Sequence, residues 1–560
     1  MNLIRLLSIS LLILLQTALP AQTAYEHVTN TNLYTFIDDL AALHLIDVTT
    51  AIKPYSRSQI AVWLKQAEAN QEQLSKAQRA RLKVHLQEYS LESGTLKTGR
   101  ASLYQKDEQL SVHLLPPEVV WRDTLFRAIL RPIYGIRYFS YEAGNFYHSY
   151  GGAEAIAYIG KNWSVYASLR DNYQNKEVLA LPSYLTLEPG GNYKINEGGR
   201  KGGDYSEMRG GITYSWNWGS VGLLKDHIQW GDNNNGSNIL SGRTPSFAVI
   251  KLNMNPVHWL EFNYFHGWLV SQVIDSANSF VTQGGHFRAR YRNKFIASNM
   301  YTFKPFKRLH FSVGNAIIYS DMNAHPAYMI PFFFFKSLDH TINRGIENQN
   351  SMMFVNISSR QIKHLHLYAS VFIDEFSKTR ISDPDRHNFI SYKGGASLTG
   401  WPLKNLALTG EFTINYPNTF EHYIETTTFE TNKFNLGHYL GGNSQELFGS
   451  VRYSPVGTLQ LTLDFLYAMH GNDYPYDHNL PFPVDEHPVL EEKSWDRTGI
   501  TFRAEMLPLQ NTRVFAEYTY NNINGYDLDD NTAQYYLNKF TPAYLHGKTH
   551  GLVLGFGIGF

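Results

Sequence analysis

The stretch Asp226-His227-Ile228-Gln229-Trp230-Gly231-Asp232-Asn233 gathers two carboxylates, an imidazole, two amides and an indole in eight residues. These side chains suit saccharide recognition, because an exposed ring can meet a sugar face while carboxylates, amides and imidazoles fix hydroxyls beside it. Asp226, His227, Gln229, Trp230, Asp232 and Asn233 are therefore the candidate glycan-binding set, with Asn235 next to them. They are expected at the mouth of the fold, at the top of a strand. Tyr474, Tyr476, Asp477, His478, Tyr526, Tyr535 and Tyr536 add rings and polar groups in other loops. The competing reading makes such aromatics an interfacial girdle and such Asn and Asp residues ordinary loop formers.

Catalysis has weaker support. The 22 His and many Ser and Asp fall into no ordered triad. His364 and His366 share a strand face, but Asp374 lies roughly 26 Å further along at the usual rise, so the three form no metal set unless the strand bends. Asp374 and Glu375 are adjacent and point to opposite faces, which argues against a paired-carboxylate glycosidase. No Walker loop, dinucleotide fingerprint or zincin helix is present. The chain is expected to be no enzyme and to need no metal or cofactor.

The elements that would carry the candidate set are strands. From about residue 128 the hydrophobic period is two: Leu461, Leu463, Phe465 and Tyr467 share one face, and Gln460, Thr462 and Asp464 the other. Leu365, Leu367, Ala369, Val371 and Ile373 repeat the pattern opposite His364, His366, Tyr368, Ser370 and Asp374. About 18 strands are expected, including 128–141, 150–160, 220–230, 246–253, 458–469 and 549–560. Short connections, such as Gly160-Lys161-Asn162 and Leu507-Pro508-Leu509-Gln510, alternate with long polar ones, such as 231–245 and 416–444. Short turns on one side, long loops on the other and an even strand number describe an outer-membrane β-barrel.

The last strand adds an independent signal. Leu552, Leu554, Phe556, Ile558 and Phe560 alternate with Val553, Gly555, Gly557 and Gly559, so every second position can face lipid. Phe556, Ile558 and the terminal Phe560 resemble the C-terminal signal read by the barrel-assembly machinery. As an open edge this strand would invite aggregation, and pairing with the first strand removes the edge.

Ahead of the strands, helices are expected. Leu33, Phe36, Ile37 and Leu40 recur at helical spacing behind Asn30 or Thr31, and Ser56/Gln59 and Ser75/Gln78 have the capping-box spacing. Before them, Arg5 precedes an apolar run from Leu6 to Leu15 and the small-residue site ending at Ala21, an export signal too short to span a membrane. The expected organisation is a signal peptide over 1–21, a periplasmic helical bundle over 22–95, a connecting segment over 96–127 and a barrel over 128–560.

Composition agrees. Lys plus Arg and Asp plus Glu each total 49 in 560 residues, which gives no basic excess for nucleic acid. Cysteine is absent, excluding disulfides and thiolate chemistry. Tyr, Phe and Gly number 37, 33 and 42, a mixture that favours strands and tight turns.

The signal peptide, Pro54-Tyr55-Ser56-Arg57-Ser58-Gln59-Ile60, the run from Lys225 to Asp232 and on to Ile239-Leu240-Ser241, Phe372-Ile373-Asp374-Glu375-Phe376 and the end Gly551-Leu552-Val553-Leu554-Gly555-Phe556-Gly557 together resemble the Wzi family of capsule-assembly outer-membrane proteins. A gliding-motility relative, RemB, belongs to the same broad group. The resemblance implies an 18-stranded barrel in outer-membrane lipid, a helical bundle on its periplasmic side, long loops at the cell surface and a lectin-like role in anchoring surface polysaccharide. Two alternatives stand beside it: a barrel subunit of a motility or secretion machine, with other surface proteins as partners, and a diffusion channel.

Overall fold

The computed structural model describes residues 22–94, 102–106, 109–176, 189–195, 202–342, 348–383, 385–476 and 484–559. The expected signal peptide, Phe560, Asp477 and His478 lie outside the described residues. Among those described, an 18-strand antiparallel sheet closes into a barrel. In chain order the strands are β1 Phe126–Tyr141, β2 Gly144–Ile159, β3 Trp163–Gln174, β4 Gly203–Trp216, β5 Gly219–Asp226, β6 Phe247–Val257, β7 Leu260–Leu269, β8 Lys294–Phe306 and β9 Leu309–Ser320. They continue as β10 Gln349–Ser359, β11 Leu365–Glu375, β12 Phe389–Thr399, β13 Leu406–Asn415, β14 Ser444–Val456, β15 Leu459–Gly471, β16 Lys493–Leu509, β17 Thr512–Gly525 and β18 Gly547–Ile558. Closure pairs β18 with β1, from Gly551 opposite Tyr141 to Ile558 opposite Tyr134.

Period-two alternation sets what each wall residue meets. In β15, Leu463 and Phe465 point outward and are exposed, while Thr462 and Asp464 line the interior. In β18, Leu552 and Leu554 are exposed outside, whereas Val553 packs inside with Phe139, Phe146 and Phe515. Phe556 and Ile558 lie on the outward face and are half-buried. An outward face of Leu, Phe, Ile, Tyr and Val removed from water favours burial by roughly 25 cal/mol per Å², which water cannot supply and lipid can.

The two barrel ends differ. Eight connections at one end are short, such as Gly160–Asn162, where Gly160 takes φ 59°. At the other end all but Glu142–Ala143 are long. That exception corrects the expected start of β2: the hairpin pairs Tyr141 with Gly144, six residues earlier than the alternation suggested.

The helical unit docks at the short-turn end. Its helices are α1 Thr31–Ala42, α2 Arg57–Ala69 and α3 Lys76–Glu88, followed by a single turn at Ser90–Ser93. Asn30, Ser56 and Ser75 cap them by accepting from Leu33, Gln59 and Gln78 backbone N–H groups, and only Ser75/Gln78 forms the reciprocal box. Leu33, Phe36, Ile37 and Leu40 of α1 pack against Ile60, Trp63 and Leu64 of α2 and Leu82 of α3. Polar contacts fix the unit to the wall: Arg360 pairs with Asp38 at 3.0 Å, Arg452 pairs with Asp39, and Asn32 donates to Glu505 at 3.0 Å. Tyr158 donates to Glu92 at 2.9 Å. The segment expected to be a plain connection holds strands at Ser102–Lys106, Leu110–Leu114 and Pro117–Arg122, the last pairing with β1. Among the described residues no helix is long and apolar enough to cross a membrane.

Candidate functional site

The run from Asp226 to Asn235 does not stand at the mouth. β5 was expected to reach residue 230, but it ends at Asp226, where the chain turns into the lumen. Buried Asp226 takes an ion pair from Arg209 at 3.3 Å, a hydrogen bond from the Tyr166 hydroxyl at 2.6 Å and the His227 backbone N–H at 2.9 Å. Three donors from the wall and the turn hold that carboxylate, so the strand cannot run on. Gln229–Trp230 then forms the middle of a three-stranded sheet, with Ile52–Lys53 of the helical unit on one side and Leu240–Ser241 of the returning loop on the other.

Trp230 is accordingly 1% exposed. Its ring meets Phe265 and Phe354 edge-on at 5.2 and 5.9 Å between centroids. It is neither a mouth platform nor an outward girdle residue, since both its faces lie within the interior core. Gly231 follows with φ 97°, and a Cβ there would stand 2.7 Å from Ser237 Oγ. That backbone turn sends Asp232 to the opposite wall, where Asn356 donates at 3.0 Å and His310 lies at 3.2 Å, with His366 and Arg360 at 3.6 and 3.8 Å. Burial works against the Asp232 charge, yet the His310 hydrogen bond and the charges of His310, His366 and Arg360 hold its carboxyl well below the usual range.

The tip of the loop is clamped by one residue of β13. Glu411 accepts the Asn234 and Asn235 backbone N–H groups at 2.6 and 2.7 Å, and it also takes the Tyr368 hydroxyl at 2.6 Å and Lys393 at 3.1 Å. Asn238 donates to Ser391 and accepts from Ser370. The loop thus crosses from β5 to the wall of β9 to β13.

A cavity of about 500 Å³ remains between this loop, α1 and the wall formed by β14 to β18 and β1. Gln229 and Asn233 of the candidate set line it, together with Asn234 and Asn235. Lys53, Arg137, Arg243, Arg452, Arg497, Arg503 and Arg513 line it with Asp38, Asp464, Glu505 and Glu517, an excess of three cations in the lining, of which Arg452 is paired with Asp39 just outside it. Tyr141, Tyr439, Phe448 and Tyr544 supply rings. Arg243 stacks over Tyr439 at 4.2 Å, and its Nη1 has no hydrogen-bond partner among the described residues. Burial lowers the Arg243 pKa, against the opposing pull of Tyr439 and Glu446. The result is a desolvated guanidinium built into the lining of a space large enough for sugar units. No sequence spacing marked these six arginines, because they come from five separate parts of the chain: β1, the crossing loop, β14, β16 and β17.

The remaining candidates are scattered. Tyr474 stacks on His487 with centroids 3.8 Å apart, Tyr476 donates to Glu375, and Tyr526 donates to Asp496 at 2.6 Å. Tyr536 is buried and donates to Asn472 at 2.8 Å, while Tyr535 is exposed. His364, His366 and Asp374 are not brought together: His364 contacts the Thr399 carbonyl, His366 contacts Ser358, and Asp374 accepts from Asn350 and the Phe420 N–H.

No protein-family model matches the chain, and no curated protein matches it. Among solved structures it is similar to Wzi of Escherichia coli, described as an outer membrane protein involved in group 1 capsule assembly and as a carbohydrate-binding β-barrel. The identity is 13% and the TM-score 0.54, covering 96% of this chain and 100% of that one. OprD of Pseudomonas aeruginosa aligns at 7% identity and a TM-score of 0.39 over 77% of this chain and 92% of that one. Pseudomonas aeruginosa OpdK, solved with vanillate, gives 9% and 0.42 over 77% and 98%. At 13% identity the likeness to Wzi is one of fold.

Proposed function

We propose that this chain is an outer-membrane barrel that anchors surface polysaccharide by holding acidic saccharide units in its lumenal cavity, without chemistry of its own. The helical unit would face the periplasm and the long loops the cell surface, with Phe556, Ile558 and Phe560 read by the barrel-assembly machinery. The observation that carries the reading is the cavity lining: an excess of three cations, amides from the crossing loop, and rings among them. Guanidiniums pair bidentately with the carboxylates of uronate-type sugars, amides meet hydroxyls, and rings take the apolar sugar face. A polymer engages many barrels at once, so modest affinity per site gives firm retention. The carbohydrate binding named for Wzi agrees with this reading.

The crossing loop and the docked helices separate this proposal from an open diffusion channel, because both occupy the lumen. The test is retention of cell-surface polysaccharide per folded barrel in Arg243→Ala, alongside single-channel conductance of the wild type. Reduced retention with low conductance supports the proposal. Unchanged retention with steady ion flow refutes it in favour of a channel.

A further inference from the structure

His27 of the N-terminal segment, Glu207 of β4 and His227 of the crossing loop converge on one point. The two imidazole Nε2 atoms lie 2.9 and 3.0 Å from the same carboxylate oxygen, Glu207 Oε1. Both histidines are buried, and the Glu207 side chain is 12% exposed. These ligand atoms all fall within 4.8 Å of one another, an arrangement able to hold a metal ion.

Hydrogen bonding determines what the His227 ring presents. Its Nδ1 lies 3.0 Å from the Thr244 carbonyl, which only accepts, so Nδ1 carries the proton. In the neutral ring Nε2 then bears a lone pair aimed at a carboxylate oxygen, a repulsive contact unless a cation stands between them. A backbone carbonyl holding the far nitrogen is also what orients metal-binding histidines. His27 Nδ1 accepts the Thr29 N–H at 3.1 Å with Thr29 Oγ1 at 2.6 Å, so the neutral ring carries its proton on Nε2 toward Glu207, and a metal there would displace that proton and shift the ring to the tautomer whose Nδ1–H donates to the hydroxyl.

Charge around the cluster points the same way. Direct ion pairs join Arg57, Arg131, Arg170 and Arg209 to Glu26, Glu88, Glu92, Glu154, Glu207 and Asp226. Among these groups there are two more carboxylates than guanidiniums. Lys251, whose charge acts on Asp226, still leaves the carboxylates in excess. A buried network with surplus negative charge is costly unless something positive completes it.

The geometry points to a divalent transition-metal site of the zinc class formed by His27, His227 and Glu207. Two imidazoles and a carboxylate suit that class, and ligands at about 2.0–2.2 Å would stand roughly 3.3 Å apart, so the two histidine–Glu207 separations need to open by only a few tenths of an ångström. Such an ion would join the N-terminal segment, the barrel wall and the crossing loop at one point, fastening the unit that sits across the lumen.

The test titrates Co²⁺ into the full chain in detergent after chelator treatment and follows the visible ligand-field band. The expected result is one saturable equivalent, displaced by Zn²⁺, with affinity at least a hundredfold weaker in His27→Gln and His227→Gln. His310→Ala, which removes an imidazole from Asp232 instead, keeps the band. Folding of each variant is checked by heat-modifiable mobility, and wild-type protein with and without Zn²⁺ is compared for protease release of the helical unit, which the metal should slow at least tenfold. Absence of a saturable band in folded wild type overturns the proposal and leaves protons as the bridging cations. So does a band lost in His310→Ala but kept in the other two variants, or unchanged protease release.

Discussion

Leu463→Arg and Thr462→Arg differ by one position and should differ greatly in cost. Leu463 is 45% exposed on the outward face, about 13 Å along β15 from Leu459 at the usual strand rise, which puts it inside an apolar band roughly 25 Å tall. A charge there costs about 2–4 kcal/mol, or roughly 30- to 700-fold in the folding equilibrium. Thr462 lines the cavity, directly opposite Arg452 on β14 and Arg503 on β16. A third arginine pays only like-charge repulsion there, about 1 kcal/mol or less, and Thr462→Glu should be neutral or stabilising. The assay is reversible folding into lipid vesicles in urea, read by heat-modifiable mobility. Equal losses for Leu463→Arg and Thr462→Arg, or Thr462→Glu costing more than Thr462→Arg, would refute the assigned faces and the charge of the lumen.

Three further outcomes follow from the crossing loop. Trp230→Ala should destabilise the barrel by about 3–5 kcal/mol in the same urea assay, because it empties a packed site between Phe265 and Phe354, a packing role in place of the exposed glycan contact expected from the sequence. Asp232 has a depressed carboxyl, so its stabilising effect is present at neutral pH and is lost as pH falls through and below about 4; protease release of the loop should rise over that window, and Asp232→Asn should remove the dependence. Deleting Tyr25 to Tyr89 should leave planar-bilayer conductance low while the loop still crosses the lumen, and replacing Gly231 to Ser241 with a short flexible link as well should raise it several-fold.

What was legible in the sequence follows from range of interaction. The strands were readable because each Leu463 or Leu552 must face outward whatever its neighbours are, so period two survives in the residues themselves. Helix starts at Asn30, Ser56 and Ser75 were readable because caps act over three residues. The path of the chain after Asp226 was not, because it is set by Arg209, Tyr166, Asn356 and Glu411, which lie 17 to 177 positions from the residues they hold. Trp230 therefore looked like an exposed ring when its partners are Phe265 and Phe354. The cavity arginines and the His27, Glu207 and His227 cluster escaped notice for the same reason: neither has a spacing, only a meeting point.

The central claim is that the cavity binds acidic saccharide. It is tested most directly by titrating the folded barrel with oligogalacturonate and with a neutral glucan oligosaccharide of equal length, in wild type and Arg243→Ala, by calorimetry. A charge-assisted hydrogen bond contributes about 1.5–3 kcal/mol, so losing Arg243 should weaken the acidic ligand roughly 10- to 150-fold. The expected result is saturable binding of the acidic oligosaccharide, little of the neutral one and that loss on substitution. Equal binding of both ligands, or an acidic ligand bound as tightly by Arg243→Ala as by wild type, would contradict it.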